Sequence, residues 1–189
     1  MAVPGSQQPC HWNGTLVLLL LLTALTTSLP CQQLWTHDDT LSWDALRLLQ
    51  EAAPNSTDTC QLHHPPFFPD TLLHTHLTPQ QAAATALRIL QRLFHTLANN
   101  DTSHHWHAHP RHRLLNKLQH YIHHLQHCLP RNPTLLKGPR NPLLAINKYF
   151  SDLHTFLHAH NHSACAWHHL RLQAPLFFQH VDRLRRQMR

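Results

Sequence analysis

Five stretches of the chain repeat apolar side chains at alternating spacings of three and four, the period that gathers them on one face of an α-helix. The first covers about residues 41–52, with Leu41, Ala45, Leu48, Leu49 and Ala52 on one face and Pro54 as its stop. The second has a defined start: Thr78 can cap, Pro79 suits the first helical position, and Gln81 completes a capping box. Its stripe is Ala83, Leu87, Leu90, Phe94 and Leu97, and Asn99, Asn100 and Asp101 end it. The third begins near Pro110, carries Leu115, Leu118, Ile122, Leu125 and Leu129, and closes at Pro130 and Pro133. Asn141 and Pro142 read as cap and first position of a fourth helix, which runs to about 159 and buries Ile146, Phe150, Leu153 and Leu157. The fifth spans about 163–187, with Ala166, Leu170, Ala174, Phe177, Val181, Leu184 and Met188 as its stripe. Pro175 lies inside it, where it removes a donor and clashes with the carbonyl of Arg171. Such a proline costs ~3 kcal/mol in a helix interior, which predicts a kink or break near 171–175.

Residues 53–77 form a long connection that contains Cys60 and the apolar run Pro65-Pro66-Phe67-Phe68-Pro69. Connections of this length are uncommon in compact domains and are often functional. One this apolar must pack on the body. No strand alternation or internal repeat is present, and three glycines against fourteen prolines leave little material for tight hairpins. The expected fold is therefore all-α, one domain of four or five helices. A long first connection lets two consecutive helices run parallel, as in the up-up-down-down order of cytokine bundles; short loops throughout would give an up-down bundle instead.

The N-terminal region changes the picture of where the chain acts. Leu16 to Leu25 is an apolar run interrupted only at Thr23 and Ala24. It is shorter than the roughly 20 residues a bilayer span needs and has the length of a secretory leader's apolar core. Residues 1–30 are read as a leader cleaved after Ser28 or Pro30, leaving a single helical domain over 31–189 that is secreted and does not insert in a membrane. Cys10 leaves with the leader, and Cys31, Cys60, Cys128 and Cys165 remain, an even set suited to an oxidising compartment. Four cysteines allow three pairings, and all stay open on spacing alone. Asn55, Asn100 and Asn161 head N-glycosylation sequons between helical segments. The net charge of +6 is scattered apart from Arg183, Arg185, Arg186 and Arg189, which read as a solvated helix tail. No aromatic-basic interleaving or nucleic-acid module is present.

Histidine is the most unusual component, at 23 residues. His104, His105, His107 and His109 crowd around Trp106, and His120, His123, His124 and His127 sit at helical spacings. His120 with His124, or His123 with His127, would share a face and could chelate a transition metal. Against this, they fall on the polar side of the third helix, where Gln or Lys would also serve, and the nine acids of the chain are dispersed. No dedicated metal site and no cofactor are expected, only incidental zinc or nickel binding. A secreted histidine-rich metal-binding protein stands as the alternative reading. Nucleophile elbows, glycine-rich phosphate loops and paired-carboxylate motifs are all missing, so an enzyme is not expected.

The stretch Tyr149-Phe150-Ser151-Asp152-Leu153-His154-Thr155-Phe156-Leu157, followed after seven residues by Cys165-Ala166-Trp167, resembles the type I interferon signature in both halves. Leu87-Arg88-Ile89-Leu90-Gln91 and Leu114 to Cys128, with Tyr121-Ile122-His123-His124-Leu125, are similar to the bird members, so the resemblance covers essentially the whole chain. It implies the helical cytokine bundle with a long first crossover. It also implies the disulfides Cys31–Cys128 and Cys60–Cys165, since the family pairs first with third and second with fourth cysteine. Its members act as monomers that bridge the two chains of a heterodimeric receptor, activate the associated kinases (JAK-STAT signalling) and induce an antiviral state. The high-affinity receptor chain contacts the first long loop and the last helix, which here carry Leu62, His63, His64, Arg171 and Leu172. The low-affinity chain contacts the opposite face, where Arg88, Arg92, Lys117 and Tyr121 are the candidates. Trp167 is expected in the core. Two departures stand out: relatives often carry an arginine shortly after the second cysteine, where this chain has His63 and His64, and Pro175 falls where the family keeps an unbroken helix.

Overall fold

A computed structural model of the chain describes residues 41–55, 60, 62–99, 105–129 and 141–188. The expected leader, Cys31, Asn100, Arg189 and the connection over 130–140 lie outside the described residues. Five α-helices follow one another: α1 (Leu41–Ala52), α2 (Pro79–Ala98), α3 (Ala108–Cys128), α4 (Pro142–Ala159) and α5 (Ala164–Gln187). A short 3-10 turn, Asp70–His74, interrupts the first connection, and no strand occurs among the described residues.

The helix starts are chemical. Thr78 accepts from the Gln81 amide while the Gln81 side chain accepts from the Thr78 amide, with Pro79 at the first position. These two bonds satisfy donors that the helix itself leaves open. Asn141 accepts from the Leu143 amide ahead of Pro142. Ser163 does the same for Ala166 at the head of α5. The far end of α2 is closed from another helix: the Arg111 guanidinium donates to the carbonyls of Leu97 and Asn99. A cation there also complements the negative end of the helix dipole.

These contacts set the topology. Arg111, near the start of α3, meets the end of α2, so α2 and α3 are antiparallel. The His107 amide donates to Ala52 O at the end of α1, and Lys117 pairs with Asp44 near its start, so α1 and α3 are antiparallel too. Helices α1 and α2 therefore run up and α3 runs down. Trp106, just before α3, packs edge-on against Trp167 near the start of α5, and Gln187 at the end of α5 reaches Thr75 just before α2. Helix α5 therefore also runs down, which completes the up-up-down-down order. Helices α1 and α2 each pack on both α3 and α5. Every packed pair in the bundle is thus antiparallel, and α4 docks outside, mainly against α2.

The core contains Ala45, Leu48, Leu49, Leu90, Leu97, Leu118, Leu125, Leu153, Leu170 and Phe177 from the expected stripes. Trp167 is 1% exposed. On α2 the buried face is turned toward Ala82, Ala86, Ile89 and Leu93, which leaves Leu87 and Phe94 half-buried at its edge. On α3 it is turned toward Leu114 and Tyr121, with Leu115 and Ile122 at the edge. The cause is the bundle itself: a corner helix faces two neighbours and buries a sector wider than a single stripe.

Of the kink or break expected near 171–175, the break does not occur. Helix α5 is continuous through Pro175. Buried Leu170, Ala174, Phe177 and Phe178 hold both sides of the proline in the core, so packing overrides the local cost. The basic tail is also less free than expected: Asp182 accepts from Arg185 and Arg186. Burial alone would raise its carboxyl, but these hydrogen bonds and charges outweigh that and hold it below the usual carboxylate range.

Two outcomes follow from α5. Pro175→Ala restores a backbone donor to a helix already in place and should raise stability by about 2 kcal/mol, or ~4–8 °C in Tm, measured by thermal melting. His180 is 2% exposed beside the Phe68 ring, and burial, then the Arg183 charge, pull its titration from 6.5 down to about 4. Between those values the unfolded chain binds the proton and the folded chain does not, so stability falls as pH drops through that window. Urea melts at pH 7 and 4.5 should show His180→Leu narrowing the wild-type gap by about 2–3 kcal/mol.

Candidate functional site

The long first connection is a strap laid over α5. Arg171 Nη1 donates to Asn55 Oδ1 at 2.7 Å. Cys60 is joined to Cys165, with Cα atoms 5.6 Å apart. Beyond it, the His63 carbonyl meets His160 Nε2 at 3.4 Å, past the head of α5. The chain then reverses at His64, whose φ of 52° is in the left-handed region. It descends on the other side: Pro66 O lies 2.8 Å from His169 Nε2, the Phe68 amide donates to Gln173 Oε1, and Gln187 donates to Thr75 O. Residues 171 and 173 project about 200° apart on a helix, so the two limbs of the strap straddle α5.

The descending limb carries the apolar plug. Phe68 is buried against Tyr149, Phe177 and His180. Burial there pushes the Tyr149 phenol well above its ordinary range. Proline-rich backbone brings few donors and many acceptors into a partly buried place, and each group needs a partner. His169, Gln173 and Gln187 provide them. These polar residues, with His180, sit at spacings of four, seven and seven beside the apolar stripe of α5. That row was visible in the sequence, but its purpose depends on what the loop touches.

What the strap leaves uncovered is the candidate site. Leu172 projects between the two limbs and is 60% exposed. Phe67 is 69% exposed and stands edge-on to His169, one helical turn from Leu172. His63 and His64 are exposed at the crest of the strap, while Leu62 is half-buried against the core. Arg171 is half-buried and held by Asn55. The five loop and last-helix residues singled out from the sequence therefore gather around the upper part of α5, and Phe67 is an addition the sequence did not mark.

The four candidates for the opposite face do not gather. Arg92 donates to Asn147 Oδ1 at 3.1 Å and so faces α4, with Arg88 one turn earlier on α2. Lys117 forms a 2.7 Å ion pair with Asp44 and lies in the groove between α1 and α3. Tyr121 is 4% exposed, a core residue whose ring offers no surface. Arg88 and Arg92 thus share a patch that Lys117 and Tyr121 do not join.

Of the sequon asparagines, Asn55 and Asn161 are exposed, and Asn161 occupies the tight turn between α4 and α5 with φ of 50°. No group of three or more metal-ligating side chains occurs among the described residues. His124 titrates below its ordinary value, through partial burial first and then the neighbouring imidazoles His120, His123 and His127. Among the described residues no helix is long and apolar enough to cross a membrane.

Comparison with known proteins agrees with this architecture. The interferon alpha/beta domain matches residues 34–188. The chain is 49% identical to interferon type B of Gallus gallus over 173 residues, which cover 90% of this chain and 85% of that protein. It is 44% identical to an interferon of Meleagris gallopavo over 192 residues, the full length of both. Among solved structures, zebrafish interferon 1 superposes with a TM-score of 0.66 at 19% identity, covering 81% of this chain and 97% of that one, a likeness of fold. With a strapped up-up-down-down bundle and a domain match along most of its length, the chain belongs to the interferon alpha/beta family.

Proposed function

We propose that this cytokine is secreted and acts as a monomer that bridges two cell-surface receptor chains, starts kinase (JAK-STAT) signalling and induces an antiviral state. The observation that carries the reading is the uncovered strip of α5 framed by the strap. It exposes Leu172 and Phe67 beside exposed His63 and His64 on a backbone fixed by a disulfide and four hydrogen bonds. Large apolar residues on a rigid, rimmed surface suit protein recognition. The high-affinity receptor chain docks there in this reading. The low-affinity chain docks on the α2–α4 side, around Arg88 and Arg92. Carbohydrate at Asn55 would attach at Nδ2, the atom that N-glycosylation always uses and that the Arg171 bond to Oδ1 does not engage. Cys31, in this reading, pairs with Cys128.

The decisive test is protection of cells of the same source from a virus by the purified, folded protein. Protection that disappears when the receptor is deleted is expected; none at saturating dose overturns the proposal. Leu172→Ala and Phe67→Ala should each weaken high-affinity receptor binding by ~10- to 100-fold with Tm nearly unchanged, whereas Arg47→Ala on α1 should be neutral. Surface plasmon resonance reads the first effect and calorimetry the second. Cys60→Ser should lower receptor affinity far more than helix content by circular dichroism, because it frees the strap and leaves the bundle.

A further inference from the structure

Four histidines of α3 take no part in either proposed receptor surface. His120, His123 and His127 are exposed and His124 is half-buried, along the solvent side of the helix. Their pairs are not equivalent. The Nε2 atoms of His120 and His124 converge to 3.0 Å, with ring centroids 4.2 Å apart. In the other pair, His127 uses Nδ1 to donate to the His123 carbonyl at 2.8 Å, which turns one ring toward backbone instead of toward its neighbour.

We propose that His120 and His124 form a two-imidazole chelate for a divalent transition ion of the Cu2+ or Ni2+ type, bound through the two Nε2 atoms. Spacing of four places both rings on one face, and the helix holds them there. An ion at ~2.0–2.1 Å from each nitrogen, with the nitrogens 3.0 Å apart, is subtended at roughly 90°. That is the cis angle of square-planar and octahedral coordination. Imidazole suits Cu2+ and Ni2+, and Cu2+ heads the affinity order for such ligands. Without an ion, one Nε2–H donates to the other Nε2; with one, each ring keeps its proton on Nδ1 and turns its lone pair to the metal. No third His, Cys, Asp or Glu joins the pair among the described residues, so water completes the coordination sphere.

Cu2+ titrated below one equivalent into the purified full chain provides the test. Electron paramagnetic resonance should show a tetragonal ion with two nitrogen ligands in its plane. NMR should show paramagnetic broadening centred on residues 120–124. His120→Ala and His124→Ala, which replace surface side chains, should each weaken this first site at least tenfold, while His123→Ala and His127→Ala change it less than twofold. Broadening spread over the other histidines, or a first site indifferent to His120→Ala, overturns the proposal. A first site lost equally in all four variants also overturns it, since that would mean uptake by the histidine-rich stripe as a whole.

Discussion

Joining two parallel helices forces the connecting chain to travel back the length of the bundle, and this constraint shapes the rest of the molecule. The top of α1 must reach the bottom of α2, and α2 alone is 20 residues, or ~30 Å, long. The strap makes that journey over α5. It climbs to the disulfide at Cys165, reverses at His64 and descends past Pro66 and Phe68 to Thr75. Helix α5 is consequently covered by α1, α2 and the strap, which explains why it holds the buried polar residues His169, Gln173 and His180. The single strip it keeps in solvent is where the function is proposed to reside.

What the chain revealed in advance was mostly local chemistry. Thr78-Pro79 with Gln81 and Asn141-Pro142 each mark a helix start that the structure reproduces, because caps depend on residues within one turn. Fold class was also legible, since helical periodicity, scarce glycine and one long connection all agree. What failed depended on neighbours. Pro175 was read by its cost in an isolated helix, while its surroundings hold the helix continuous. Tyr121 was read as amphipathic surface, but α3 faces both α1 and α2 and draws that side chain inward.

The candidate site divides along the same line. Residues near the second and fourth cysteines come together because a covalent bond and the strap bring them there. The opposite face had no such tie. Arg92 is committed to Asn147 on α4 and Lys117 to Asp44 on α1, and their separation depends on how helices pack, which no residue pattern along α2 or α3 encodes. Phe67 and the row His169, Gln173 and His180 went unmarked for a related reason. Their roles exist only once the strap and α5 meet.

The strap also dictates an order of events as the chain is made. Cys60 waits for a partner 105 residues further on, and Gln173 and Gln187 lie later still. Closing so long a loop must precede the contacts that reward it, and such non-local steps are slow. During synthesis α1, α2 and α3 can form while Phe68, which Tyr149, Phe177 and His180 later enclose, has nothing to cover it. The emergence of α5 is therefore the step that ends this exposure to aggregation, and truncation within α5 would strand the whole first connection.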